Sequence, residues 1–469
     1  MKQKTLGVLV GNRDFFPDQL ISEGRKDILE LFENLGITAI MPDVEMTRLG
    51  AVETWQDVQV CADLFRAHRD EIDGIVVLLP NFGNEKAIAD TIRRAELNVP
   101  ILVQAYPDAL DEFHLERRRD AFCGKISVCN NLLQYGHPFS LTSTHTVSPK
   151  DKLFKLDLIH FIQVCSVVRG LRNVRLGAIG ARPGAFNTVR YSEKILEAYG
   201  ASVVTVDFSE ILGNAERLTD NDSSVQSFLE RIESYLPTPG IKKESLTKMA
   251  KLGLVIENWM QENELQASAI QCWNSLQQNY GINVCTLMSM MSEQMMPSAC
   301  EVDITGVLSM YVLQLASGTP SALVDWNNNY GDEPDKCVLF HCGNWAKSFY
   351  DQPRMAFADV LGTTLGRENT AGAINGRVPA GPMSFARLST DDTNGAIIGY
   401  IGDGQFTNDE LKTFGSRAVV QIDNLQSLMQ FICENGFEHH TAMNAAYTAD
   451  VLEEALVKYM GWEIYRHNG

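Results

Sequence analysis

The chain has 469 residues, 45% hydrophobic and 21% charged, and its surplus of Asp and Glu over Lys and Arg leaves a net charge of −19. That balance argues against binding nucleic acid or an anionic membrane surface, because both need a basic face. The length exceeds one ordinary core, so two or three domains are expected.

The opening residues run into a short apolar stretch, Leu6–Val10, and then polar Gly11–Asp14. That stretch is too short for a signal-peptide core, and no segment approaches the ~20 apolar residues of a membrane span, so a cytoplasmic protein is expected. Thr5–Val10 reads as a strand and Asp18–Leu35 as a helix stopped by Gly36. Ile37–Met41, Gly74–Leu79 and Pro100–Gln104 continue as strands, with helices near Val58–His68 and Glu85–Ala95 between them. This βαβ rhythm predicts a parallel sheet covered on both faces, with ligands beyond the carboxyl ends of its strands. Arg13, Asn81 and Gln104 stand at those ends and are candidates for binding substrate hydroxyls.

After a long helix near Leu153–Arg169 a second cycle begins. Arg175–Ile179 is a strand, Gly180–Asn187 a turn, Val189–Tyr199 a helix and Ala201–Val206 a strand ending in Asp207. Further on come a helix over Leu246–Asn263, a strand at Ala267–Gln271, a helix over Ile304–Leu315 and a strand at Ser321–Val324. Past residue 350 Gly, Thr, Asn and Pro become frequent, which reads as an antiparallel β-rich domain. A helix near Ala449–Met460 closes the chain. The expected fold is α/β: two doubly wound parallel-sheet (Rossmann-like) domains at residues 1–170 and 171–350, then a β-rich, barrel-like domain at 351–469.

The Gly180–Gly184 turn lacks the spacing of either phosphate-binding fingerprint, and Pro183 removes a backbone donor. An NAD(P)-dependent oxidoreductase, with Asp207 as the ribose acid, is therefore one alternative reading. A non-catalytic sugar-binding protein is another. The ten cysteines are scattered without a C-x-x-C pair, which argues against a zinc ribbon or disulfide scaffold. The stronger constellation is Glu301 in E-V-D-I-T-G, Asp325 in A-L-V-D-W, His341 in F-H-C-G-N, and His439-His440 in E-H-H-T. Three of these acids or imidazoles sit where an apolar segment meets a turn. Carboxylates with one or two imidazoles and no thiolate suit Mn²⁺ or a similar divalent ion rather than structural zinc.

The stretch Glu301–Trp326, with its Glu and Asp 24 positions apart, resembles the metal-site segment of the L-fucose isomerases. Glu438-His-His-Thr441 and F-H-C-G-N are similar to histidine-ligand motifs of the L-arabinose isomerases. The resemblance implies a metal-dependent aldose–ketose isomerase that acts on a monosaccharide through a cis-enediol. Glu301, Asp325, His440 and His341 would be metal ligands, and Glu301 and Asp325 the acid/base pair. It also implies that Arg13 contacts the sugar, and a homo-oligomer such as a hexamer.

Overall fold

The computed structural model describes residues 4–111 and 113–468. The chain divides into two compact units, Met1–Arg169 with Lys458–Met460, and Gly170–Val457 with Gly461–Gly469.

The first unit is built on an all-parallel sheet of β1 (Thr5–Gly11), β2 (Thr38–Ile40), β3 (Ala51–Val52), β4 (Gly74–Leu79), β5 (Ile101–Ala105) and β6 (Ser140–Leu141). Its order is β2-β1-β4-β5-β6, with β3 also pairing β1. Every residue of β4 is buried, as its unbroken apolar run requires of a strand covered on both faces. Helix Asp18–Leu35 ends at Gly36, whose φ of 66° closes it in the left-handed conformation.

The second unit holds two sheets. The first is parallel, with order β10-β9-β7-β8, made of β7 (Val174–Ile179), β8 (Ala201–Val206), β9 (Ala267–Ile270) and β10 (Ser298–Ala299). The expected helix over Val189–Tyr199 is shorter. A single 3₁₀ turn spans Asn187–Val189, and the helix runs only over Glu193–Ala198 because Ser192 caps it by accepting from the Ile195 N–H.

The second sheet is mixed and nine-stranded, ordered β13-β14-β17-β12-β11-β18-β15-β16-β19. Its strands are β11 (Ser321–Tyr330), β12 (Glu333–His341), β13 (Asp351–Phe357), β14 (Ala371–Arg377), β15 (Gly381–Asp391), β16 (Ala396–Phe406), β17 (Ser416–Gln421), β18 (His440–Asn444) and β19 (Glu463–Arg466). β16 also pairs β17 through Gln405↔Gln421 and Phe406↔Val420. The sheet is not purely antiparallel, since β14–β17 and β16–β19 run parallel. A parallel neighbour needs a crossover, and the helical segment Ala449–Tyr459 is part of the connection that leads to β19. The sheet also takes in β11 and β12, which precede residue 351.

Helix Ile304–Ser317 packs against β9 of the parallel sheet and against β11, β15 and β18 of the mixed one. It is apolar all round and buried along nearly its whole length, as such a helix must be. Its N-terminus carries the candidate site.

Candidate active site

Glu301 and Val302 both have φ of 56°, a left-handed conformation that side chains other than glycine rarely adopt. This strained pair joins β10 to helix Ile304–Ser317 and turns the Glu301 carboxylate into a cavity of about 390 Å³. The helix cap is Asp303 rather than Glu301, since Asp303 Oδ1 accepts the Gly306 N–H at 2.8 Å. A Cβ on Gly306 would stand 2.4 Å from Asp303 Oδ2, so this close approach requires glycine.

Strand register supplies the rest of the set. Asp325 on β11 lies directly opposite His440 on β18, and directly opposite residues project to the same face. His341 ends β12, whose Phe340 pairs with Asp325. His440 Nε2 lies 3.7 Å from Glu301 Oε2 and 3.5 Å from Asp325 Oδ1. His341 Nε2 lies 3.9 Å from Glu301 Oε2, and His439 Nε2 lies 3.6 Å from Asp325 Oδ1. Two overlapping sets result, Glu301–His341–His440 and Asp325–His439–His440, and they share His440. Phe186, Trp273, Trp326 and Phe340 furnish apolar wall.

His440 is oriented from behind. Its Nδ1 lies 2.9 Å from Asp303 Oδ2, which assigns the N–H to Nδ1 and leaves the Nε2 lone pair facing the carboxylates. Burial raises the Asp303 pKa, but the Arg387 guanidinium and His440 outweigh it and hold the carboxyl well below the usual carboxylate range. Arg387 is fully buried, donates to both oxygens of Asp303 at 2.6 and 3.1 Å, and also donates to Glu438.

Glu301 stands apart from this network. Its Oε1 accepts from Trp273 Nε1 at 2.8 Å and from the Cys272 thiol at 3.3 Å. Its Oε2 is buried with no hydrogen-bond partner. Burial pushes its pKa up, partly offset by His341 and His440. Burial also opposes a charge on His341, yet the Cys342 thiolate beside it, with the Asp325 and Glu301 carboxylates, carries the imidazole up to about 10.

The donor set fits a divalent ion. Two ligands at about 2.1 Å from one ion can lie up to about 4.2 Å apart. All four imidazole–carboxylate separations, 3.5 to 3.9 Å, fall inside that span. Glu301 Oε2 at their centre has no hydrogen-bond partner, and an ion there would supply a ligand contact in its place.

Arg13, Asn81 and Gln104 do not line this cavity. They belong to the first unit and hold partners there. Arg13 pairs with Glu85, Asn81 donates to Asn12, and Gln104 donates to the Val147 carbonyl. Asp207, the ribose acid of the dinucleotide reading, instead caps helix Phe208–Arg217 by accepting from the Ser209 N–H at 2.8 Å.

Two family models match the chain. "Fucose/sulfoquinovose isomerase, N-terminal domain" covers residues 7–172, and "L-fucose isomerase, C-terminal domain" covers 339–467. The chain belongs to the fucose isomerase-like superfamily. Glu301 and Asp325 fall between the matched stretches, whereas His341 and His440 fall inside the second. Among curated relatives, sulfoquinovose isomerase of Alkalicoccus urumqiensis is 24% identical over 388 residues, which is 81% of this chain and 83% of that protein. The sulfoquinovose isomerases of Priestia aryabhattai and Priestia megaterium are each 28% identical over 245 residues, 52% of this chain. The matched stretch spans about half the length of the two Priestia proteins, 54% of each.

Asp303, Arg387, Glu438 and Trp273 complete the site without having been singled out in the sequence. An Asp immediately before an apolar helical run is a capping signal, so Asp303 had a cue. Arg387 had none, because an Arg within an apolar strand reads as an ordinary outward position.

Proposed function

We propose that this protein is an aldose–ketose isomerase that moves a proton between C1 and C2 of a monosaccharide through a cis-enediol, with Glu301 and Asp325 as the proton-transfer pair. The observation that carries the reading is the Glu301 carboxylate, buried, with no Lys or Arg beside it, and directed into a cavity beside Asp325 and His440. Burial raises its basicity toward the range useful for abstracting a carbon-bound proton. Asp325 is half-exposed on the same cavity and is placed to return or accept the second proton. His440, with its tautomer set by Asp303, keeps a lone pair on the cavity side. The aromatic wall gives the enediol an apolar surround.

Glu301, Asp325 and His440, with His341 beside them, would hold a divalent ion such as Mn²⁺. When bound, that ion would polarise the sugar's carbonyl and adjacent hydroxyl oxygens as a Lewis acid. The relatives' names make sulfoquinovose the first sugar to test. Its sulfonate calls for a cationic partner, yet no Lys or Arg lines this cavity among the described residues. That cation would come from outside this cavity wall, as a neighbouring subunit of an oligomer could supply.

The deciding experiment incubates metal-stripped protein with sulfoquinovose, fucose and arabinose in D₂O, with and without Mn²⁺. Metal-dependent ketose formation with solvent deuterium at C2 of the recovered aldose is expected. Turnover without solvent exchange would replace proton transfer by a hydride shift. NAD(P)H-dependent reduction without isomerisation would overturn the assignment.

A further inference from the structure

Four cysteines that are scattered in sequence meet behind His341. Cys272, Cys285 and Cys300 are buried, whereas Cys342 is partly exposed and lines the cavity. Cys342 Sγ lies 3.5 Å from His341 Nδ1, and Cys300 Sγ lies 3.9 Å from the same nitrogen. Cys285 Sγ lies 3.5 Å from Cys342 Sγ. The ligand atoms of Cys300, His341 and Cys342 all fall within 4.8 Å of one another. A tetrahedral ion with metal–sulfur bonds of about 2.3 Å and metal–nitrogen bonds of about 2.05 Å separates its ligands by roughly 3.6 to 3.8 Å. The observed distances lie close to those values, so little movement is needed.

We propose that Cys300, Cys342 and His341 Nδ1, with Cys285 at their flank, form a second cation site, chosen by its sulfur ligands for thiophilic ions such as Zn²⁺ or Cd²⁺. Soft thiolates select such ions over Mn²⁺, which prefers carboxylate and carbonyl oxygen. Cys342 on the cavity wall gives the ion its way in. On binding, two protons pass to solvent, one from the Cys300 thiol and one from the Cys342–His341 pair. A neutral imidazole has one lone-pair nitrogen. An ion on Nδ1 therefore leaves a hydrogen on Nε2, directed at Glu301 Oε2. His341 would then be lost to any ion in the cavity, and Glu301 would gain a donor. This second step rests on the proposed function, but binding at the thiols does not, and a thiophilic ion would inhibit from behind the active site.

The test is a Cd²⁺ titration of the full chain, followed by the ultraviolet charge-transfer absorption of Cd–thiolate bonds. The background carries Cys123→Ser and Cys433→Ser, which removes the exposed thiols. Saturation at one ion per chain is expected, retained in Glu301→Gln and lost in Cys300→Ser. Cys342→Ser, at a partly exposed position that tolerates the change, should weaken binding by more than the ~10–100-fold cost of losing an outer-shell partner. Circular dichroism checks that each variant is folded. Absence of the band, its persistence in both cysteine variants, or its loss in folded Glu301→Gln would each overturn the site. Because the readout is absorbance, the result stands whether or not the protein isomerises sugars.

Discussion

Among the described residues of the first unit, every buried acid has its own cation. Asp27 meets Lys150, Asp73 meets Arg169, and Asp90 meets Lys86 and Arg93. In the second unit Asp303 and Glu438 share Arg387, but Glu301, only two residues from Asp303, faces imidazoles and an indole. Buried carboxylates are ordinarily neutralised because leaving one ionised in an apolar site costs several kcal/mol. Of the six buried acids among the described residues, the one without Lys or Arg is the one aimed into a cavity. Stability explains the paired five, and the proposed proton transfer would explain the sixth.

The largest expected effect separates these roles. Glu301→Gln should lower isomerase turnover ~10²–10⁴-fold, the usual share of a general acid–base group. Its urea midpoint at pH 7 should be unchanged or higher, because an unpaired buried charge has gone. Asp325→Asn should cost turnover similarly. A folded Glu301→Gln enzyme with wild-type turnover would end the comparison. Arg387→Met should do the reverse and destabilise by about 3–5 kcal/mol, since two buried carboxylates lose their partner. Equilibrium unfolding measures it.

Removing the ion gives the next effect. If the cavity binds a divalent ion, Mn²⁺ at about a hundred times its Kd should stabilise the fold by about 2.7 kcal/mol, and EDTA should reverse this. The gain should vanish in Glu301→Gln. In the ion-free protein, pH sharpens the contrast between neighbouring acids. Glu301 has a raised pKa, so its contribution is intact below its unfolded value of about 4.5 and falls as pH rises through the folded value. Asp303 has a depressed pKa, so its contribution is present above about 3.8 and is lost as pH falls below that. Stability of wild type minus Glu301→Gln, followed from pH 4 upward, should therefore decline. A rising difference would contradict the burial argument.

Most of this arrangement was legible in the sequence where local pattern decides the structure. The apolar run of β4 and the caps and stops of the first helices depend on neighbours a few residues away. Asp325 and His341 stood out because each ends an apolar strand, Glu301 because it opens a helix, and His440 as half of a histidine pair. Arg387 and the thiol cluster were invisible for the opposite reason. Arg387 lies 84 positions from Asp303, and Cys285 lies 57 from Cys342, so only the packed sheets bring them together. Likewise β11 runs on past Val324 to Tyr330, because pairing with β12 overrides a polar W-N-N-N stretch that reads as a turn.

The smallest effect tests whether pairing alone, or pairing away from water, separates the two regions. Asp27 is 6% exposed and its partner Lys150 is 67% exposed, at 2.8 Å. The hydrogen bond to Asp27 raises the Lys150 pKa, so this contribution is fully present at pH 7 and fades only in alkali. Lys150→Met should nonetheless cost at most about 1 kcal/mol, because water can take the place of an exposed ammonium. Asp27 would also keep the Tyr106 hydroxyl at 3.1 Å. Arg387 has no such replacement, since both it and Asp303 are 0% exposed. If Lys150→Met cost as much as Arg387→Met, exclusion of water would not set the price of an unpaired acid. Glu301, buried without Lys or Arg, would then be no more exceptional than an acid at the surface.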